Sequence, residues 1–325
     1  MAKSPTRPPE APSEGPKPPD SVPETSGTAT GPSDGAAAPE LTWSQALRAD
    51  NLEAFKKGIA KELNAIISRH KHLDGHEVLF LFDDDSITNY HSDRLYAAAR
   101  QCKSNGKDIL LVIDSPGGSI EPAYLISKTL KRLTAKKFIA AVPRRAKSAA
   151  TLICLGADEI HMGMISQLGP IDPQISGLPA LALGNALRHI ADLAEAFPRS
   201  SRVLSAYLID QAPMGKLGYY ERVSESAVQY AERLLRDRSL PNKNPSEVAS
   251  HLVHHYKDHG FVIDSEEATG LLGADLVKEQ TPEYVAADEI YSFVSRAQLV
   301  ARYMNNKEFW IIGRPDEVGW RNLEK

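Results

Sequence analysis

Two short segments of this 325-residue chain carry residue types suited to acyl chemistry. In Ile113-Asp114-Ser115-Pro116-Gly117-Gly118 a pair of glycines follows an apolar stretch. Adjacent glycines reach backbone angles and close approaches that a β-carbon forbids, so their amides can be aimed at an oxyanion or a peptide carbonyl. Pro-Gly-Gly is also an ordinary turn. In Ala146-Lys147-Ser148-Ala149-Ala150-Thr151 a serine opens a stretch of small residues predicted to be a short helix, 148–155. A hydroxyl there lies beside unpaired amides and the positive end of the helix dipole, which suits a nucleophile. The plainer reading makes Ser148 an N-cap.

A serine hydroxyl attacks a carbonyl only when a neighbour takes its proton. Three residues are candidates: His259 in Asp258-His259-Gly260-Phe261, Lys216 in Met214-Gly215-Lys216-Leu217-Gly218, and His189 on a predicted helix. Lys216 would need desolvation to lower its pKa. Their plainer roles are a loop or capping histidine, a solvated lysine and an interface histidine. Lys147 is expected to point away from Ser148, and His161, inside an apolar strand, to be a satisfied core residue. Asp83-Asp84-Asp85 with His91 and Asp93 lacks metal-ligand spacing, and His251, His254, His255 and His259 lack a nameable fourth ligand, so no metal is expected. No Gly-x-Gly-x-x-Gly turn follows a strand, and no cofactor is expected.

The elements that must position these residues follow from hydrophobic periodicity. Leu47, Leu52, Phe55, Ile59, Leu63, Ile66 and Ile67 recur at helical spacing, giving a helical lead-in over 41–72. Continuous apolar runs at 78–82, 109–113, 138–142 and 159–162 read as strands buried on both faces. Helices predicted at 93–103, 121–133 and 148–155 alternate with them. This alternation is that of βαβ units, hence an α/β core, 78–177, with a largely parallel sheet. From 178 to 325 the chain reads as mostly helical, with helices near 180–196, 201–209, 219–237 and 246–256, a short one capped at Ser265-Glu266-Glu267-Ala268, and a last one at 287–304. A strand at 309–312 closes it.

The first forty residues hold 10 of the 22 prolines, one valine and no leucine, isoleucine or aromatic residue. Such a segment buries too little apolar surface to offset its chain entropy and is expected to be a disordered tail. It has neither the apolar core of a secretory signal nor the arginine-rich, acid-poor character of a transit peptide. No apolar run reaches the ~18 residues of a membrane span. Cys102 and Cys154, the only cysteines, fall in predicted core elements, consistent with a reduced, cytoplasmic setting. A net charge of -4 supplies no global basic field for nucleic acid.

Taken in order, five segments resemble the Clp/crotonase superfamily, in its Clp protease and signal-peptide-peptidase branches and most closely in the serine-dehydrogenase-proteinase group. They are Asp114-Ser115-Pro116-Gly117-Gly118, Ser148 among small residues thirty positions on, Leu155-Gly156-Ala157-Asp158-Glu159-Ile160, Gly169-Pro170-Ile171-Asp172-Pro173-Gln174, and Glu266-Glu267-Ala268 with Gly270-Leu271. The resemblance spans roughly residues 79–276. It implies a Clp/crotonase-like fold over 41–325 and a serine peptidase acting through an acyl-enzyme on Ser148. Gly118 and the amide of Ala149 then match the oxyanion-hole donors, and the chain from Gly118 into Ser119 matches the edge on which an extended peptide lies. It further implies a peptide or unfolded-protein substrate and a homo-oligomer, while leaving any unfoldase or membrane-protein partner unidentified.

The Clp proteases place a histidine some twenty-five residues after the serine, where this chain reads Ser166-Gln167-Leu168-Gly169-Pro170. The signal-peptide-peptidase branch places a lysine forty to fifty residues on, where this chain has none in 178–200. His259 falls close to the Clp triad acid and resembles a histidine of the serine-dehydrogenase-proteinase group. Two rival readings stand beside the peptidase: a catalytically weakened scaffold that binds peptides or partner subunits, and a crotonase-like acyl-CoA enzyme. The second is disfavoured because such enzymes do not use a nucleophile at the Ser148 position.

Overall fold

The apolar runs form strands because each alternates its side chains between two helical layers, leaving neither face for water. The structure, a computed structural model, describes residues 41–175, 178–179, 182–203, 206, 214–241 and 243–323. Strands β1 (His76–Phe82), β2 (Asp108–Asp114), β3 (Phe138–Ala141), β5 (Glu159–Met162) and β9 (Val277–Glu279) run parallel in that order. Antiparallel β10 (Lys307–Gly313) and β11 (Val318–Asn322) extend the sheet beyond β1. This is the expected α/β fold with a largely parallel sheet.

Leu79 and Leu81 face one layer, with α3 (Asn89–Ala99), α4 (Ile120–Leu133), α5 (Ala149–Leu155) and α7 (Met214–Leu235). Val78, Phe80 and Phe82 face the other, with α2 (Leu52–Arg69) and α10 (Pro282–Asn305). The lead-in is a pair of helices, α1 (Trp43–Arg48) and α2, each started by a side-chain cap, Thr42 and Asn51. Phe55, fully buried on α2, meets Phe309 of β10 and Trp320 of β11 at ring-centroid separations of 5.3 and 5.0 Å.

Several boundaries differ from the sequence reading. The 93–103 helix starts earlier, at Asn89, because Thr88 and His91 form a reciprocal cap. The predicted 287–304 helix starts at Pro282 behind the Thr281 cap. The C-terminal part is less helical than expected: besides the predicted strand at 309–312, which lies within β10, it supplies β9 and β11, and the three complete the sheet. Val277 and Val318 sit in runs too short and too mixed to show a strand period. Helices α6 (Ala182–Ala196), α8 (Pro245–His254) and α9 (Ser265–Leu272) fall near their predicted places. The expected tail, residues 1–40, and much of the 201–209 helix lie outside the described residues.

Among the described residues no helix is long and apolar enough to cross a membrane. Cys102 and Cys154 are buried free thiols; burial pushes the Cys102 pKa up to about 11 and raises that of Cys154 too.

Phe55→Ala should cost about 3–5 kcal/mol of folding stability, since both the burial and the aromatic contacts go. Urea unfolding followed by tryptophan fluorescence, with Trp320 beside the cavity, measures it.

Candidate active site

Beyond the main sheet, the continuations of its strands pair again in a second, shorter ladder, and the candidate residues sit on that ladder. Ser115, just past β2, bridges in parallel to Ala146 of β4 (Arg145–Ala146), which pairs with β6 (Gln167–Leu168); Leu168 bridges to Ile263. On the other side, Gly118 bridges to Ile87. Segments from five places in the sequence thus lie side by side, held by backbone bonds such as Lys147 N–H to Ser115 O (3.1 Å) and Leu168 N–H to Ile263 O (2.9 Å).

The glycine turn fits only glycines. Gly117 (φ 104°) and Gly118 (φ 150°) occupy backbone conformations that other residues rarely adopt. A β-carbon on Gly118 would stand 2.1 Å from Ile87 N, and one on Gly117 would stand 2.8 Å from Ser148 Cβ. Ile87 N–H donates to Gly117 O (2.8 Å) and Ser119 N–H to Ile87 O (2.9 Å), which turns the amide of Gly118 away from Ile87. Gly117 N–H donates to Ser115 Oγ (3.2 Å), so this amide is already engaged. Among the described residues, the amides of Gly118 and Ala149 have no protein acceptor.

Ser148 stands immediately before α5, which starts at Ala149 rather than at the serine. Its backbone is at φ 51°, ψ −120°, a region costly for a residue with a β-carbon. Its side chain makes no capping bond, so the N-cap reading describes its position but not its hydroxyl. Cap duty inside the ladder falls to Thr151: its buried hydroxyl accepts from Gly169 N–H (3.0 Å) and lies 2.6 Å from Ala146 O.

His259 shares with this serine a groove of about 520 Å³, which is lined by Gly117, Gly118, Ser119, Ser148, Tyr219 and His259 among others. Its Nδ1 donates to Asp172 Oδ1 at 2.7 Å. The Asp172 carboxylate is buried and takes a second bond from Gln174 Nε2 (2.8 Å). With Nδ1 donating to Asp172, Nε2 is the ring nitrogen that a neutral imidazole presents as an acceptor. The loop that bears His259 is fixed by Gly260 N–H to Asp258 Oδ1 (3.0 Å), by Phe261 against Tyr256 (4.7 Å), and by Tyr256 OH donating to Glu267 (2.6 Å).

The other candidates are placed apart or outside description. His189 is exposed on α6 and is not among the described residues of the groove. Lys216 lies in the first turn of α7, one turn before Tyr219, and its side chain lies outside the described residues. Lys147 points away from Ser148, as expected, with its ammonium on the carbonyls of Leu168 and Phe261. His161 is buried and satisfied by Glu159 Oε2 (3.1 Å) and Thr281 Oγ1 (2.6 Å).

The acidic triplet is engaged by side chains around it. Asp83 meets His91 (3.1 Å), Asp84 meets Arg145 and Arg302, and Asp85 meets Arg321. His251 and His255 stack at 4.0 Å, with Lys243 on His251.

Asp172 is the residue the sequence reading missed. It stood in one of the quoted motifs with no role attached. The available signal was its spacing: it lies twenty-four residues after Ser148, where the Clp proteases carry their histidine, while His259 stands near the position of their acid.

Residues 52–194 match the family described as ClpP-like SDH-type serine proteinase. The uncharacterized protein MJ0137 of Methanocaldococcus jannaschii is 30% identical over 223 residues, which is 69% of this chain and 70% of that protein. The uncharacterized protein MJ1495 of the same organism is 36% identical over 97 residues, 30% of this chain and 32% of that protein. Among solved structures, a serine-to-alanine mutant of the 1510-N membrane-bound stomatin-specific protease aligns at a TM-score of 0.41 and 15% identity, over 70% of this chain and 86% of that one. A lysine-to-alanine mutant of it in complex with a substrate peptide gives 0.41 and 15% over 78% and 94%. The motif order, the matched segment and the relative aligned over most of both chains agree: the chain belongs to the ClpP-like SDH-type serine proteinase family.

Proposed function

We propose that this protein hydrolyses peptide bonds by acylating Ser148, with His259 as the general base, Asp172 as its orienting acid, and the amides of Gly118 and Ala149 as the oxyanion hole. The observation that carries the reading is the 2.7 Å Asp172–His259 bond in the same groove as Ser148. A buried carboxylate that fixes the Nδ1 tautomer leaves Nε2 to take the serine proton, and this is the arrangement acyl transfer needs.

The steps follow from those positions. Ser148 Oγ attacks the scissile carbonyl while its proton passes to His259 Nε2. The oxygen that gains the electron pair is stabilised by the two otherwise unpaired amides. The imidazolium returns its proton to the departing amine, the C–N bond breaks, and an ester remains on Ser148. Water, deprotonated by the same histidine, then attacks the ester and releases the acid. Along the chain the order is serine, aspartate, histidine, so acid and base have exchanged places relative to the Clp proteases. The same pairing weighs against the scaffold reading, which rested on an unfilled base position. A peptide or unfolded protein as substrate, a homo-oligomeric assembly and a cytoplasmic setting belong to the same proposal.

Ser148→Ala should abolish labelling by a fluorophosphonate probe, and unlabelled wild-type protein would sink the reading. His259→Ala and Asp172→Asn should each slow peptide hydrolysis by about a thousandfold or more. His189→Ala should leave it within about twofold. Lys216→Met tests the rival base: a loss matching that of His259→Ala would move the assignment.

The strain at Ser148 gives a separate expectation. A residue held in a disfavoured backbone region costs about 1–3 kcal/mol, and glycine gives part of this back through its larger unfolded-state entropy. Ser148→Gly should therefore be more stable than Ser148→Ala by about 1 kcal/mol in chemical denaturation, though equally inactive.

A further inference from the structure

Lys147 is an odd neighbour for a nucleophile: a long cation, half-buried, with its charge directed into the protein. Its ammonium donates to Leu168 O at 3.1 Å and to Phe261 O at 2.9 Å. Leu168 lies four residues before Asp172, and Phe261 two residues after His259. The aliphatic stem crosses Gly169 so closely that a β-carbon there would stand 2.6 Å from Lys147 Cδ. Its own backbone amide donates to Ser115 O (3.1 Å), at the start of the glycine turn. One residue therefore touches the segments of the nucleophile, the oxyanion turn, the acid and the base.

Burial pushes the Lys147 pKa below the usual lysine range, with Asp258 acting against that shift. Desolvating an ammonium is costly unless its protons are bonded, so the two carbonyls are where that cost is recovered. The acid and base segments are also joined by the backbone bonds between Leu168 and Ile263 and by the Asp172–His259 bond itself. The ladder bonds join the two segments at Ile263, the Asp172–His259 bond joins them at the imidazole, and Lys147 joins them between these points, at Phe261.

We infer that Lys147 is a positioning residue, clasping the Asp172 segment to the His259 segment and thereby setting the imidazole at its distance from Ser148. This rests on the proposed hydrolytic role of Ser148 and His259. A misplacement of about 1 Å can cost a hundredfold in rate, so losing one clasp has consequences far beyond its own bond energy.

The test uses the full-length protein with Lys147→Met, which keeps the stem over Gly169 and removes the donors, and Lys147→Arg, which keeps a cation. Lys147→Met should lower the rate of fluorophosphonate labelling and kcat on an extended peptide at least about tenfold, with KM within about twofold, and Lys147→Arg should recover part of it. In a His259→Ala background the same substitution should have no further effect, because the residue acts through the histidine. Amides 168 and 263 should exchange hydrogen at least about tenfold faster in Lys147→Met. Wild-type labelling in Lys147→Met, or an equal loss in the His259→Ala background, overturns the inference. Should wild-type protein itself fail to label, the hydrolytic reading falls, and exchange alone decides the clasp: faster exchange supports it and unchanged exchange overturns it.

Discussion

The Gly117-Gly118 backbone passes between two others with no room for a side chain, and the candidate site is assembled around that clearance. On one side lies Ile87, whose amide and carbonyl hold the carbonyl of Gly117 and the amide of Ser119. On the other lie Lys147 O and Ser148 Cβ, within 3 Å of where a β-carbon would be. Because backbone groups alternate along an extended chain, satisfying Gly117 and Ser119 on the Ile87 side directs the Gly118 amide to the groove. On the Ser148 side, the amide nitrogen of Ala149 lies 3.0 Å from where a β-carbon on Gly117 would be. The oxyanion hole proposed for these two amides would use backbone alone and need no reorganisation when charge develops.

A site built on loops at strand ends needs those loops held to a rigid base. The main sheet supplies the base: β1, β2, β3 and β5 are buried on both faces, and interiors packed to that density transmit position with little slack. The short second ladder then transfers the order outward. Thr151 ties α5 to the turn at Gly169, Tyr256 and Glu267 brace the His259 loop, and Lys147 lies where the two meet. The backbone strain at Ser148 persists because these contacts overdetermine its position.

Charge around the site is arranged for support. Asp114, in the motif that leads into the glycine turn, is paired with Arg145 (3.2 Å), whose carbonyl in turn accepts from Ser115 N–H. Burial raises the Asp114 pKa, opposed by that arginine. Asp84 and Arg302 extend the network onto α10. A motif aspartate three residues before Gly117 invites a chemical role; here it fastens β4 to the end of β2.

The fold was largely legible in the chain because a strand buried on both faces must be apolar throughout and an amphipathic helix must repeat at 3.6 residues. Gly117-Gly118 and Ser148 were legible as candidates, since a close backbone approach demands glycine and a nucleophile would demand a hydroxyl, whatever surrounds them. The added strands β9 and β11 were not: they are short, and their pairing with β5 and β10 comes from tertiary context. Nor was the base. His259, Lys216 and His189 each have an acceptable role alone, and it is a buried acid partner that sets His259 apart as the proposed base. That partner, Asp172, is eighty-seven residues from His259 in sequence and 2.7 Å away in space. Residue type sets what a side chain can do, but proton transfer depends on distance and tautomer, and the Asp172–His259 bond arises only when the fold brings those two segments together.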